Sequence, residues 1–145
     1  MTANESKKQI KILVVEDYLT NREIIRSYLS GDRYLVSFAE NGQQALEAIR
    51  NEAFDLLLMD AQMPVMDGFE ATRAIRKAEA ARRQATSFFS LHPSALPHVP
   101  IIAMTAQVPK AEEEKFREAG MDDYIGKPFR KKELRAMVEK WVCPV

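Results

Sequence analysis

Apolar residues along this chain gather into five short runs, and between them the pattern shifts to a helical period. The runs are "IKILVV" (10–15), "YLVSFA" (34–39), "FDLLLM" (54–59), "PIIAMT" (100–105) and "DYIG" (123–126). Near-continuous apolarity over so few residues suits strands covered on both faces. Between the runs, Ile24, Ile25, Tyr28 and Leu29 make one apolar helical face, and Leu134, Met137, Val138 and Trp141 make another. Thr20 with Glu23 and Asp67 with Glu70 have capping-box spacing, and Gly120 follows "KFREA" where a C-capping glycine belongs. Strand–helix alternation repeated five times predicts an α/β fold on a parallel sheet.

One stretch breaks the rhythm. "RRQATSFFSLHPSALPHV" (82–99) separates the third helical pattern from the fourth run and reads as an inserted loop. It exceeds the ~2–6 residues usual for such a connection. It holds an apolar knot at Phe88, Phe89 and Leu91, and both histidines, His92 and His98. With no acid or cysteine beside them in sequence, the histidines read as solvated and the segment as a tolerated surface insertion.

Composition narrows the function classes. Lysine plus arginine and aspartate plus glutamate number 21 each, so the net charge is zero, which gives no support for nucleic-acid or anionic-membrane binding. A hydrophobic share of 46% over 145 residues is ordinary for one globular domain. No apolar run nears the ~20 residues that cross a bilayer. The polar start "MTANESKKQ" has no signal-peptide pattern, and residues 1–9 read as a flexible tail before a domain at 10–142. The single cysteine, Cys143, fits a reducing cytoplasm.

In an open parallel sheet, ligands bind beyond the carboxyl ends of the strands. The residues placed there are Glu16 and Asp17, Asp60, Thr105 and Lys127. Two carboxylates ~5 Å apart repel by roughly 3 kcal/mol at an effective dielectric of ~20, so three together call for a cation or a raised pKa. An oxygen-only set beside a lysine suits a hard ion such as Mg²⁺ and argues against zinc. Asp55 starts the same strand as Asp60, ~16 Å away at about 3.3 Å per residue, and cannot join the cluster. Singly, each residue is an ordinary turn, cap or solvated residue; the set is what is specific.

"LVVED" with Asn21-Arg22 behind it, "LLLMDAQMPVMDGFEATRAIR", "PIIAMTA" and "AGMDDYIGKPF" together resemble the receiver domain of two-component response regulators, above all receivers of hybrid histidine kinases. The resemblance implies a flavodoxin-like, doubly wound five-stranded parallel sheet in order 2-1-3-4-5 with five helices. It implies that Asp60 takes a phosphoryl group from a phosphohistidine. Asp17 would hold Mg²⁺ directly, Glu16 through water, and Asp60 and the carbonyl of Gln62 would complete the protein ligands. Lys127 would pair with a phosphoryl oxygen, Thr105 and Tyr124 would act as the switch, and Lys127-Pro128 would be cis. The implied partners are a histidine kinase, a histidine phosphotransfer protein or both, with phosphorylation-dependent self-association as a further expectation.

On this reading the protein is not an enzyme in its own right, promoting only its own phosphorylation and dephosphorylation. Tyr18 departs from the short polar residue common after the acids, and Gln62 and Gln107 stand where the family tunes dephosphorylation. Two competing readings are a Mg²⁺-dependent aspartyl-phosphate phosphatase and a non-phosphorylated pseudo-receiver that only binds. The first needs a second acid two residues after the nucleophile, where this chain has Gln62; the second fits poorly with an intact acid, threonine and lysine set.

Overall fold

The computed structural model describes residues 9–63, 66–89, 98–106 and 113–142, with 83–89 as backbone only. Five strands and five helices alternate: β1 (Ile10–Val15), α1 (Leu19–Tyr28), β2 (Tyr34–Ala39), α2 (Gly42–Asn51), β3 (Leu56–Asp60), α3 (Gly68–Phe89), β4 (Ile101–Thr105), α4 (Glu113–Ala119), β5 (Asp123–Gly126) and α5 (Lys131–Val142). The sheet is parallel throughout, in order β2-β1-β3-β4-β5, as the resemblance implies. The strand order reverses between β1 and β3, so the switch point lies above the ends of these two strands.

Burial explains why the runs were so apolar. β3 and β4 are buried at every position, and β1 at its last four. Alternate residues feed two cores. On one face Leu13, Val15, Leu57, Met59, Ile101 and Ala103 pack with α2, α3 and α4 residues including Ile49, Ile75 and Phe116. On the other, Ile12, Val14, Leu56, Leu58, Ile102 and Met104 pack with Ile25, Leu29, Leu134 and Val138 of α1 and α5. The edge strands β2 and β5 are only partly covered, so double-sided burial holds for the centre of the sheet alone.

Local details depart from expectation in three places. β3 runs Leu56–Asp60, two residues beyond the start of its apolar run, because Asp55 exchanges a backbone bond and a carboxylate bond with Lys11 (2.8 Å each) at the foot of β1. Thr20 does not cap α1: Tyr18 is the N-cap, without a side-chain bond, and Glu23 faces Arg26 instead. Ile24 points outward and is 42% exposed, while Ile25 and Leu29 are buried. Other caps hold as expected. Asp67 accepts the Glu70 N–H (2.9 Å), and Gly120, at φ 106°, lets the Met121 N–H return to the Phe116 carbonyl (3.0 Å). A cap missed in the sequence is Asn41, which accepts the Gln44 N–H while Gln44 accepts that of Glu40.

The segment 82–99 needs correction in kind. Arg82–Phe89 continues α3, a helix of 22 residues, rather than opening a loop; the stretch 90–97, with Leu91 and His92, lies outside the described residues. The helix continues because Arg82 donates to the Ile49 and Arg50 carbonyls at the end of α2, giving the extension a tertiary anchor. The far end is anchored too. Glu79 accepts the Val99 N–H, and Arg76 bridges the Val99 and Gly120 carbonyls to Glu79 and Asp122. His98 has an acid beside it in space if not in sequence: its Nε2 lies 2.9 Å from Asp122.

At the β2 edge, Arg33 Nε and Nη2 donate to the two carboxylate oxygens of Glu139 of α5 at 2.7 Å each, and the Tyr34 hydroxyl donates to the same carboxylate. The Arg33 bonds, helped by Tyr34 and opposed by partial burial, hold the Glu139 carboxyl down at about 2. A depressed carboxyl contributes stability above its unfolded value near 4.5 and loses it as pH falls toward 2. The two side chains are 47% and 34% exposed, so solvent screening keeps the contribution below about 1 kcal/mol. Glu139→Gln should therefore melt at most about 2–4 °C below the parent at pH 7, with the gap narrowing as pH falls from about 4.5 through about 2, measured by circular dichroism.

Candidate functional site

The sheet delivers its polar residues to one rim. Glu16 follows β1 directly and is 1% exposed, its N–H held by the Ala39 carbonyl (3.0 Å). Asp17 is exposed beside it. Asp60 is the last residue of β3 and 5% exposed, and Thr105 ends β4 and is equally buried at 4%. The Thr105 carbonyl accepts the Lys127 N–H (2.7 Å), which seats Lys127 immediately after β5. Lys127-Pro128 is cis, as the resemblance implies.

Four of the five strand-end residues, Glu16, Asp17, Asp60 and Lys127, come together, and Thr105 ends the neighbouring strand one residue beyond Met104, the register partner of Asp60. Lys127 Nζ stands 3.4 Å from both Asp60 Oδ1 and Glu16 Oε1. One oxygen each from Glu16, Asp17 and Asp60 lies within 4.8 Å of the other two. Burial, and then the charge of Asp60, push the Glu16 carboxyl above its usual range, against the pull of Lys127, the Tyr18 N–H and Asn21. The cluster is thus short of positive charge, and its donors are all oxygens. It fits a hard divalent cation.

Several supports escaped the sequence reading. Asn21 Nδ2 (3.3 Å) and the Tyr18 N–H (3.2 Å) both bind Glu16 Oε2, and Arg22 Nη1 binds the Glu16 carbonyl (3.0 Å). So the first turn of α1 holds Glu16 while β1 presents it. Gln62, with an exposed side chain, donates its N–H to Asp60 Oδ1 (3.1 Å). Tyr124 lies not at the rim but against α4, its hydroxyl donating to Glu113 Oε2 (2.7 Å). Pro64 and Gln107 lie outside the described residues.

Gly68 has a definite steric reason. A Cβ there would stand 2.5 Å from the Asp60 carbonyl oxygen and 2.9 Å from Ala61 Cα. The glycine clears room for the backbone under Asp60, rather than for its carboxylate. Both obstacles are backbone, so relief must move the end of β3. Gly68→Ala should cost about 1–3 kcal/mol in urea unfolding and lower Asp60 reactivity more than stability alone explains.

A doubly wound parallel sheet with three acids and a lysine at its switch point defines a class of protein, and the comparisons name the family. The response regulator receiver domain model matches residues 12–139. The chain is 37% identical over 138 residues to hybrid signal transduction histidine kinase I of Dictyostelium discoideum, covering 92% of this chain and 7% of that kinase. Among solved structures it is similar to the receiver domain of sensor histidine kinase PA1611 from Pseudomonas aeruginosa, which has a magnesium ion in its active-site cleft. That match has 35% identity and a TM-score of 0.75, over 94% of this chain and 100% of that one. It is similar also to the Saccharomyces cerevisiae co-crystal of the phosphotransfer protein Ypd1 with the Ssk1 receiver domain (32% identity, TM-score 0.79, 93% of this chain and 90% of that one). The chain belongs to the response regulator receiver domain family, the receivers of two-component phosphorelay signalling. No helix among the described residues is long and apolar enough to cross a membrane.

Proposed function

We propose that this receiver accepts a phosphoryl group on Asp60 from a phosphohistidine and signals through the rearrangement that follows. The observation carrying this is the Lys127 ammonium, equidistant from the buried Asp60 and Glu16 in a cluster that Asp17 opens to solvent. An Asp60 carboxylate oxygen attacks phosphorus, the P–N bond breaks, and its electron pair returns to the imidazole. Lys127 meets the charge on the transferring oxygens as a compact ammonium already in position. Glu16, Asp17, Asp60 and the Gln62 carbonyl are the residues that would hold Mg²⁺. When bound, the ion supplies charge neutralisation for an anion approaching three carboxylates. Thr105, buried at the end of β4, and Tyr124 on β5 are the residues through which the modified site would reach the α4–β5 face.

A protein donor is supported by the rim itself. Tyr18 (62%), Leu19 (61%) and Ile24 (42%) are exposed beside the acids, and a partner bringing a histidine to nearly buried Asp60 must cover them. Such a partner is a histidine kinase or a histidine phosphotransfer protein.

The test compares two donors. Acetyl phosphate with Mg²⁺ should add one phosphoryl group, labile to alkali and hydroxylamine, whereas a phosphomonoester should not turn over. Tyr18→Ser with Leu19→Ser should slow transfer from a phosphohistidine protein by tenfold or more on the order of two lost apolar anchors, and leave acetyl phosphate labelling unchanged. Turnover of the phosphomonoester would mark a phosphatase; no labelling by either donor would mark a binding module.

A further inference from the structure

The helix α4 is seven residues long and is fixed to the domain in two chemically different ways. Its Phe116 ring lies between two others: Phe69 at the start of α3, 5.2 Å away, and Tyr124 in β5, 5.7 Å away. Separately, Glu113 in its first turn accepts the Tyr124 hydroxyl at 2.7 Å. The stack would survive loss of the hydroxyl. The hydrogen bond would not.

Tyr124 is well placed to matter. It pairs with Ala103 in β4, two residues before Thr105, so the period of two puts Thr105 and Ala103 on the same side of the sheet, facing the core that Tyr124 joins. Phe69, at the other end of the ring row, follows Gly68, which packs against the backbone of Asp60. The three rings therefore run from beneath the acid cluster to the partner strand of Thr105.

We propose that the Tyr124–Glu113 hydrogen bond is a latch holding α4 and the Tyr124 ring in the resting arrangement, and that it sets how readily Asp60 is phosphorylated. The proposal rests on the reading of Asp60 as phosphoacceptor. Its acceptor is a carboxylate, and such bonds are stronger than neutral ones. The Tyr124 phenol is raised above its usual range by this bond first and by burial second. Any excursion of Tyr124 from α4 must break the latch. If the phosphorylatable state requires that excursion, its population in the resting protein is limited by the latch, and weakening the latch enriches it. For one partly exposed charged hydrogen bond the enrichment is about threefold to tenfold.

Glu113→Ala, Tyr124→Phe, Glu113→Gln and the Glu113→Ala/Tyr124→Phe double variant test this in the full chain. In the unphosphorylated protein, amide hydrogen exchange over 113–119 and 123–126 should quicken about threefold to tenfold in either single variant. The double variant should exceed neither, since both remove one bond. Glu113→Gln keeps an acceptor and should fall between. Acetyl phosphate labelling of Asp60 should rise by the same factors in the same order. Unchanged exchange in both single variants, or additive effects in the double, would overturn the latch. Faster exchange with unchanged labelling would overturn its control of phosphorylation. Absence of labelling in the parent would count against the phosphoacceptor reading instead, while exchange still decides whether the latch exists.

Discussion

Asp60→Asn should abolish labelling by any phosphodonor while leaving the domain folded. The substitution exchanges one oxygen for an amide nitrogen at nearly constant shape, in a side chain 5% exposed. The remaining oxygen can still accept the Gln62 N–H, which now meets Oδ1 at 3.1 Å. What disappears is the nucleophile, because an amide oxygen does not form a stable acyl phosphate. One of three clustered negative charges also goes. At an effective dielectric of ~20, relief of two like-charge contacts near 5 Å outweighs a weakened Lys127 contact by on the order of 1 kcal/mol. The variant should thus unfold at or slightly above the parent temperature without added metal, with an unchanged far-ultraviolet spectrum. Intact mass after acetyl phosphate treatment provides the check. A phosphoryl group retained in Asp60→Asn, or acid-labile label on a histidine, means that another residue accepts it.

The legible and illegible parts of this molecule differ in where their energy comes from. Central strands announce themselves because Leu56 to Met59 and Ile101 to Met104 are buried completely, so no position can be polar. The acids at their ends stand out by contrast, and the register of a parallel sheet then brings Glu16, Asp60 and Lys127 together from positions far apart in the chain. Strand order came from resemblance, since periodicity alone does not rank neighbours. Capping at α1 misled because Thr20 and Glu23 satisfy a local rule, while the actual entry is set by Tyr18 and Asn21 serving Glu16. The extension of α3 was hidden for a related reason. Serine, threonine and phenylalanine at 86–89 are weak helix formers, and the anchor that carries the helix through them is Arg82 on the last carbonyls of α2. The Glu113–Tyr124 bond leaves no local signal at all, for neither residue predicts the other without the fold.

Mg²⁺ should raise the unfolding temperature, and Asp17→Asn should remove most of that rise. Glu16 is buried with its carboxylate pushed up by desolvation and by Asp60, and Lys127 at 3.4 Å is shared between the two. For an acid with a raised value the folded state binds the proton more tightly. Stability therefore falls as pH climbs from the unfolded value near 4.5 through the raised one, and the cost is in force at neutral pH. A divalent ion binding the folded acids offsets that cost by mass action. At a hundredfold excess over its dissociation constant it contributes about 2.7 kcal/mol, or roughly 6–10 °C for a domain of this size. Asp17 is the exposed member, so Asp17→Asn leaves the buried pair intact and isolates the loss of a ligand. Glu16→Gln should behave differently: a higher melting temperature in chelator, because a buried charge is gone, and a smaller shift on adding Mg²⁺. Scanning calorimetry at pH 7 in Mg²⁺ and in chelator separates these cases. Superimposable traces for the parent protein would show that the three oxygens within 4.8 Å are a structural crowding and not a metal site.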